Sequence, residues 1–322
     1  MREAPTVVVL GDLGASHLTA VAALDGDVRL LAARDAQECS AVIQSADVVL
    51  CDLGRGLELA PSFAQATRLR WIHSIAAGVE HMLFPALVDS DVPLTNGRGA
   101  YRRSLGEFVI LGCLYFAKDV RRLQRQQTAQ RWEAFDMEEL AGKTLGGVGY
   151  GEIGQASARL ARAFGMRVLA LRRRAATAEA VDGEIAWPPD RLPDLLAASD
   201  YVVVATPLTP ETRGLIGRAE LALMKPTAVV INVGRGPVID EAALVDALRA
   251  GRLRGAVLDV FEQEPLPAGH PLYALENVLV SPHTADHVPG WLEAGVDVFL
   301  DNLERFRAGT PLRNVVDKRA GY

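Results

Sequence analysis

The stretch that most constrains this chain is residues 143–174, KTLGGVGYGEIGQASARLARAFGMRVLALRRR. Short apolar residues lead into Gly149, Gly151 and Gly154 at G-x-G-x-x-G spacing. A helical pattern follows, with Ile153, Ser157, Leu160, Ala161 and Phe164 on one face, and a second apolar run occupies 168–171. A strand, a tight glycine turn, a helix and a parallel strand in this order form the unit that binds the pyrophosphate of a dinucleotide. Gly149 lets the backbone turn sharply, Gly151 has no side chain to hold the pyrophosphate away, and Gly154 allows close helix packing. Tyr150, Glu152 and Ile153 complete the turn, and the helix start offers N–H groups and a positive dipole end to phosphates. Glycine-rich turns are common, so a purely structural turn is the alternative; flanking elements of the right lengths favour a cofactor.

The end of the second strand bears on which cofactor. A carboxylate about 20 residues beyond the glycines would bond the adenosine ribose hydroxyls of NAD. Here Arg172, Arg173 and Arg174 stand instead. Guanidinium groups bind an extra 2′-phosphate through charge-assisted, often bidentate bonds, so the pattern favours NADP over NAD. A solvated basic loop is the competing reading.

The rest of the composition mainly excludes. The 322 residues, 49% hydrophobic and 23% charged, suit a soluble globular protein of two domains. A formal net charge of −6 gives no basic footprint for nucleic acid. No apolar run approaches the ~18 residues of a membrane helix, and the first residues move directly into a strand without a signal-peptide pattern. Three cysteines, Cys39, Cys51 and Cys113, are far apart and form no C-x-x-C pair, and six histidines are scattered. A metal site is not expected, and a reducing, cytoplasmic location is.

Along the first hundred residues, runs at 6–10, 28–31, 47–51 and 69–72 read as strands separated by helical or polar stretches, which predicts a parallel sheet covered on both faces. Gly11-Asp12-Leu13-Gly14 reads as a rim loop. Ala76-Ala77-Gly78 follows a strand and is either a backbone anion site or a packing turn. Thr95-Asn96-Gly97-Arg98-Gly99 marks a crossing into a helix from 102 to about 127, whose apolar face, Leu105, Phe108, Val109, Cys113 and Phe116, suggests contact with a second subunit. Further strands fall at 201–205, 228–232, 255–259 and 278–280, and an amphipathic helix at 291–306 is expected to return to the first domain. The fold class is therefore α/β, with two doubly wound parallel-sheet domains. One is a Rossmann dinucleotide-binding domain over 101–288; the other is a flavodoxin-like substrate domain over 1–100 plus 289–322.

Three side chains follow the ends of the last strands, the edge where such sheets bind ligands: Arg235 in NVGRG, Glu264 in DVFEQEP and His283 in SPH. Singly, each reads as a surface or core-rim residue. Together they have the types that carbonyl reduction needs. An arginine clamps a carboxylate and stabilises the developing oxyanion, a histidine donates the proton, and a glutamate fixes that histidine's tautomer and charge.

The motifs AAGVEH, TNGRG, GKTLGGVGYGEIG, TPLTPETRGLIG, INVGRGPVIDEAAL, GAVLDVFEQEP and SPH, in this order over almost the whole chain, resemble the D-isomer-specific 2-hydroxyacid dehydrogenases, which include glyoxylate/hydroxypyruvate reductases and phosphoglycerate dehydrogenases. The resemblance implies two similar α/β domains, the first built from both chain ends, and a homodimer. It puts Arg235, Glu264 and His283 in the catalytic places, Ala77 and Gly78 in the substrate-carboxylate loop, and Thr206, Val233 and Asp259 among cofactor-side contacts. Ala285 and Asp286 depart from the glycine and small residue common in the family, and Glu80 replaces the commoner aspartate. An acid at 286 would disfavour a doubly anionic substrate or bond a substrate hydroxyl. The expectation is NADPH-dependent reduction of a small 2-keto acid, glyoxylate or hydroxypyruvate first, to a D-2-hydroxy acid. A nucleotide-sensing, corepressor-like binding protein of the same fold is the alternative, disfavoured because almost nothing lies outside the two domains. Formate dehydrogenase-like oxidation is disfavoured by Glu264, where those relatives have glutamine.

Overall fold

The computed structural model describes residues 4–24, 26–173, 179–181 and 184–322. Arg174 lies outside the described residues. The chain divides into two compact units, Met1–Tyr101 with Val288–Tyr322, and Arg102–His287.

The first unit is a five-stranded parallel sheet of β1 (Thr6–Leu10), β2 (Arg29–Ala33), β3 (Val48–Cys51), β4 (Trp71–Ser74) and β5 (Leu94–Asn96), in the order β2-β1-β3-β4-β5. That order is the flavodoxin-like doubly wound pattern. Strands β1, β3 and β4 are buried throughout, which is why they read as unbroken apolar runs rather than alternating ones. The two-residue pleat sorts their side chains. Val8, Leu10, Val49 and Ile72 enter the core on one face, and Val7, Val9, Leu50 and Trp71 enter the core on the other.

The helix Trp291–Ala308 supplies Val296, Phe299 and Leu303 to that second core. Phe299 stacks on Trp71 with ring centroids 5.2 Å apart. Trp71 Nε1 in turn donates to Thr95 Oγ1 at 2.8 Å, so β5 is tied to the same cluster. Strand β5 was not visible in the sequence because it is three residues long and two of them, Thr95 and Asn96, are buried polar groups.

The second unit is an eight-stranded sheet of β6 (Thr144–Val148), β7 (Arg167–Leu171), β8 (Glu179–Val181), β9 (Glu184–Trp187), β10 (Tyr201–Val204), β11 (Val229–Asn232), β12 (Gly255–Leu258) and β13 (Val278–Val280). Its order is β13-β12-β11-β10-β6-β7-β9-β8. Seven strands are parallel, and β8 pairs antiparallel with β9 as an edge ribbon that the sequence reading did not anticipate. The chain builds outward from β6 through β7 on one side and from β10 on the other, so the order reverses between β6 and β10.

The helix expected from 102 to about 127 is two helices, Arg102–Ala117 and Val120–Thr128. Asp119, at φ 44°, separates them and accepts a hydrogen bond from the Arg122 N–H. Leu105, Val109, Cys113 and Phe116 are buried. A Cβ added at Gly106 would lie 3.2 Å from Ala156, and one at Gly112 would lie 3.1 Å from Val257. The apolar face that suggested a second subunit is therefore largely spent on helix Glu152–Ala163 and the sheet, with Phe108 half-buried. Phe299→Ala should destabilise the first unit by about 3–5 kcal/mol, read by denaturant unfolding; a loss below ~1 kcal/mol would mean that the stacked cluster contributes little.

Candidate active site

Strand β6 ends in the glycine turn. Gly149 sits at φ 105°, and a Cβ there would stand 2.8 Å from the Ala205 carbonyl oxygen beyond β10. No other residue tolerates both that backbone and that approach. A Cβ on Gly154 would lie 2.4 Å from the Gly149 carbonyl oxygen, so the helix Glu152–Ala163 begins pressed against the turn. Close packing selects a buried face of small residues, Gly154, Ser157, Ala158 and Ala161. The larger residues expected on that face lie at its margin: Ile153 and Leu160 are half-buried, and Phe164, at the C-cap, is 42% exposed.

What remains around the turn suits a dinucleotide. The helix N-cap, Gly151, carries no side-chain capping bond, and a Cβ there would meet nothing within 4 Å. First-turn N–H groups and open space at a helix start fit a pyrophosphate. Across the strand-order reversal, Thr206 Oγ1 is buried without a hydrogen-bond partner among the described residues. Such an atom suits a ligand's polar group. Arg172 and Arg173 follow β7, and both are exposed.

Other residues of the predicted cofactor set have definite protein partners. Tyr150 is buried beside Ala158 and Ala170, its hydroxyl accepting from Arg162 Nη2 at 3.3 Å. Glu152 pairs with Arg102 at 3.4 Å, and the Val233 N–H donates to the Val204 carbonyl.

Arg235, Glu264 and His283 follow β11, β12 and β13, three adjacent strands. Asn232, at the end of β11, shapes the first turn: its Oδ1 accepts from the Gly234 N–H and its Nδ2 donates to the Arg235 carbonyl, both at 3.1 Å. A Cβ on Gly236 would overlap the Phe261 carbonyl at 1.9 Å, so the Arg235 loop lies directly on the loop that carries Glu264. Arg235 is half-buried, and its Nη1 donates to the Gly234 carbonyl at 2.8 Å.

Asp259 braces the third loop. It is 2% exposed, and its Oδ1 accepts from Ser281 Oγ at 2.6 Å, the Thr284 N–H at 2.9 Å and the Ala285 N–H at 3.2 Å. His283 lies inside this braced segment at φ 52°, in the left-handed region that side chains other than glycine seldom adopt. Its Nδ1 meets Glu264 Oε2 at 2.7 Å, while the Phe261 N–H donates to Glu264 Oε1 at 2.9 Å. The hydrogen bond to Glu264 raises the imidazole pKa above its ordinary value, against burial. Burial disfavours the Glu264 carboxylate, but the bonds from His283 and the Phe261 N–H outweigh it and hold its pKa below the usual range. With Nδ1 engaged, Nε2 is the nitrogen left to exchange a proton with a ligand.

Ala77 and Gly78 belong to the first unit, after β4. The Ala76 and Ala77 carbonyls accept from the Gly97 N–H at 3.0 Å and Asn96 Nδ2 at 2.6 Å. The sequence reading missed Asn232 and the Phe261 N–H, and it read Asp259 only as a cofactor-side contact. A buried Asn that ends a strand and precedes a small-residue loop is the signal that could have found Asn232; the bracing role of Asp259 and the Phe261 backbone donor leave none.

A profile of the D-isomer specific 2-hydroxyacid dehydrogenase NAD binding domain matches residues 110–285. The chain is 35% identical over 281 residues to a glyoxylate reductase of Aeropyrum pernix, covering 84% of this chain and 81% of that one. It is 31% identical over 296 residues to a D-3-phosphoglycerate dehydrogenase of Methanocaldococcus jannaschii, covering 91% of this chain and 56% of that one. The fold matches the crystal structure of an NADPH-dependent glyoxylate/hydroxypyruvate reductase of Sinorhizobium meliloti in complex with NADP and sulfate, with a TM-score of 0.86, 30% identity, and 99% of this chain and 100% of that one covered. With strand order, glycine turn and the three charged loops all in place, the chain belongs to the D-isomer-specific 2-hydroxyacid dehydrogenases, oxidoreductases that work with a nicotinamide dinucleotide.

Proposed function

We propose that the protein reduces a small 2-keto acid, of the glyoxylate or hydroxypyruvate kind, to the D-2-hydroxy acid with NADPH, and that His283 is the general acid. The observation that carries the reading is the 2.7 Å pair of His283 Nδ1 and Glu264 Oε2, beside a loop that presents Arg235. The unit Arg102–His287 is read as the cofactor-binding domain and the other unit as the substrate domain.

The bound reduced nicotinamide supplies the hydride, so the chain needs no nucleophile of its own. Gly149, Gly151, Gly154 and the first turn of helix Glu152–Ala163 hold the pyrophosphate, with Tyr150, Glu152 and Ile153 setting the shape of the turn. Thr206, Val233 and Asp259 line the nicotinamide side, Asp259 through the loop it braces. Arg172 and Arg173 receive the 2′-phosphate. That reading is supported by the absence of an acid at position 172 and by the NADP bound in the Sinorhizobium reductase.

Arg235 draws in the substrate carboxylate and stabilises negative charge on the keto oxygen as the carbon gains hydride. Nε2 of His283 then gives that oxygen its proton. Glu264 keeps the proton on Nδ1, fixes the ring and offsets the imidazolium charge. Ala77 and Gly78 offer backbone N–H groups to the substrate carboxylate. Their N–H groups donate to no described residue, whereas the carbonyls of Ala76 and Ala77 are taken.

A second copy of the chain is the expected partner. Trp132 is fully exposed, and Met137, Leu111 and Leu123 of the same unit are exposed apolar side chains that such a partner would cover. A cytoplasmic location is supported by three buried, unpaired cysteines, which persist as thiols where the surroundings are reducing.

His283→Ala should lower kcat for keto-acid reduction by roughly 10²–10⁴-fold while NADPH affinity, read by nucleotide fluorescence, changes little. Unchanged turnover would end the assignment. Reduction needs protonated His283, so activity should persist at low pH and fall as pH rises through the raised imidazole pKa. Glu264→Gln should move that falling limb to lower pH in a kcat–pH profile, and an unmoved limb would show that another group donates. Arg172→Asp should shift the NADPH:NADH preference toward NADH by about tenfold or more in kcat/KM. An unaltered ratio would return the arginines to solvent.

A further inference from the structure

Asp286 follows His283 by three residues on the loop that Asp259 braces, yet it takes no part in the bracing. Its side chain is only 19% exposed, and its Oδ1 is buried with no hydrogen-bond partner among the described residues. Nε2 of His287 stands 3.7 Å from Oδ1, too far for a hydrogen bond. Burial pushes the Asp286 carboxyl above the usual range, with His287, its own backbone N–H and His283 drawing it back. Neighbouring groups on the loop have partners: Ser281 Oγ and the Thr284 and Ala285 N–H groups meet Asp259, and His283 Nδ1 meets Glu264. An acceptor left unpaired and withdrawn from water is unfavourable for the fold alone, and here it lies three residues along the chain from the proton donor.

Resting on the reductase reading above, we propose that Asp286 is a specificity-determining residue that selects singly anionic 2-keto acids carrying a hydroxyl on the carbon next to the keto group. The hydroxyl donates to Oδ1. Glyoxylate, with no third carbon, leaves that oxygen unpaired, and a site with a buried acceptor penalises a substrate lacking the matching donor. A keto acid with a second anion, such as a phosphate ester, brings like charge against a desolvated carboxylate, so it is turned away by repulsion as well as by poor fit. The same residue thus separates hydroxylated keto acids from both their shorter and their phosphorylated counterparts.

The test compares wild type, D286N and D286A with NADPH and three probes: glyoxylate, hydroxypyruvate and 3-phosphohydroxypyruvate. In D286A the hydroxypyruvate:glyoxylate ratio of kcat/KM should fall, and the phosphohydroxypyruvate:glyoxylate ratio should rise, each by about tenfold or more. D286N keeps an acceptor oxygen without the charge, so it should recover part of the first ratio but not the second. Both variants should melt at or above the wild-type temperature, because an unpaired buried acid has been removed. Ratios that stay within about threefold in both variants would overturn the inference, as would a fall in melting temperature of D286N by more than ~5 °C, which would make Asp286 a structural residue. A wild-type enzyme that reduces none of the probes would overturn the reductase reading itself, whereas an active enzyme with unmoved ratios overturns only the role of Asp286.

Discussion

One buried carboxylate holds the reacting end of the second unit in shape. Asp259 leaves β12 with almost no exposure and receives three hydrogen bonds from residues 281–285, so the loop after β13 has little freedom to move. Replacing water around a carboxylate by three fixed donors is what makes such burial tolerable. The return is positional. His283 is kept in a left-handed backbone conformation, from which its Nδ1 reaches Glu264, and neither residue could hold the other if the loop relaxed.

The same logic of close approach runs through the neighbouring loops. Gly236 lets the Arg235 turn lie on the Phe261 carbonyl, and the N–H of that same Phe261 fixes Glu264. Three loops from three adjacent strands are thereby interlocked through one another's backbones before any ligand arrives. Preorganisation of this kind is what lets a charged pair act at full strength at the moment charge develops. On the other side of the strand-order reversal, Gly149 and Gly154 do the corresponding work for the helix start.

Much of this was legible in the sequence, for a physical reason. The glycine spacing betrays itself because a side chain at Gly149 or Gly154 would collide with backbone, and the long apolar runs betray strands buried on both faces. What was not legible depends on partners remote in the chain. Asp259 acts on a loop more than 20 residues later, and nothing in its local sequence announces that. Strand β5 owes its existence to Thr95 meeting Trp71 and His73, a contact no periodicity reports. The sidedness of helix Glu152–Ala163 was misjudged at Phe164, since the large apolar residues looked like the core face while the actual neighbour, Gly106, demanded small ones. The supposed single helix from 102 broke at Asp119, which adopts a backbone conformation that only its cap bond reveals.

The return of helix Trp291–Ala308 to the first unit has an outcome in time as well as in space. One face of that unit's sheet, with Trp71 at its centre, has Phe299 for its cover, and Phe299 is separated from it by the entire second unit. During synthesis the inserted unit emerges whole, with its own core, while the earlier sheet, covered on that face only by residues such as Leu18 and Val21, still lacks Phe299 over Trp71. The nascent chain therefore matures from the middle outward, and the half made first is the half sealed last.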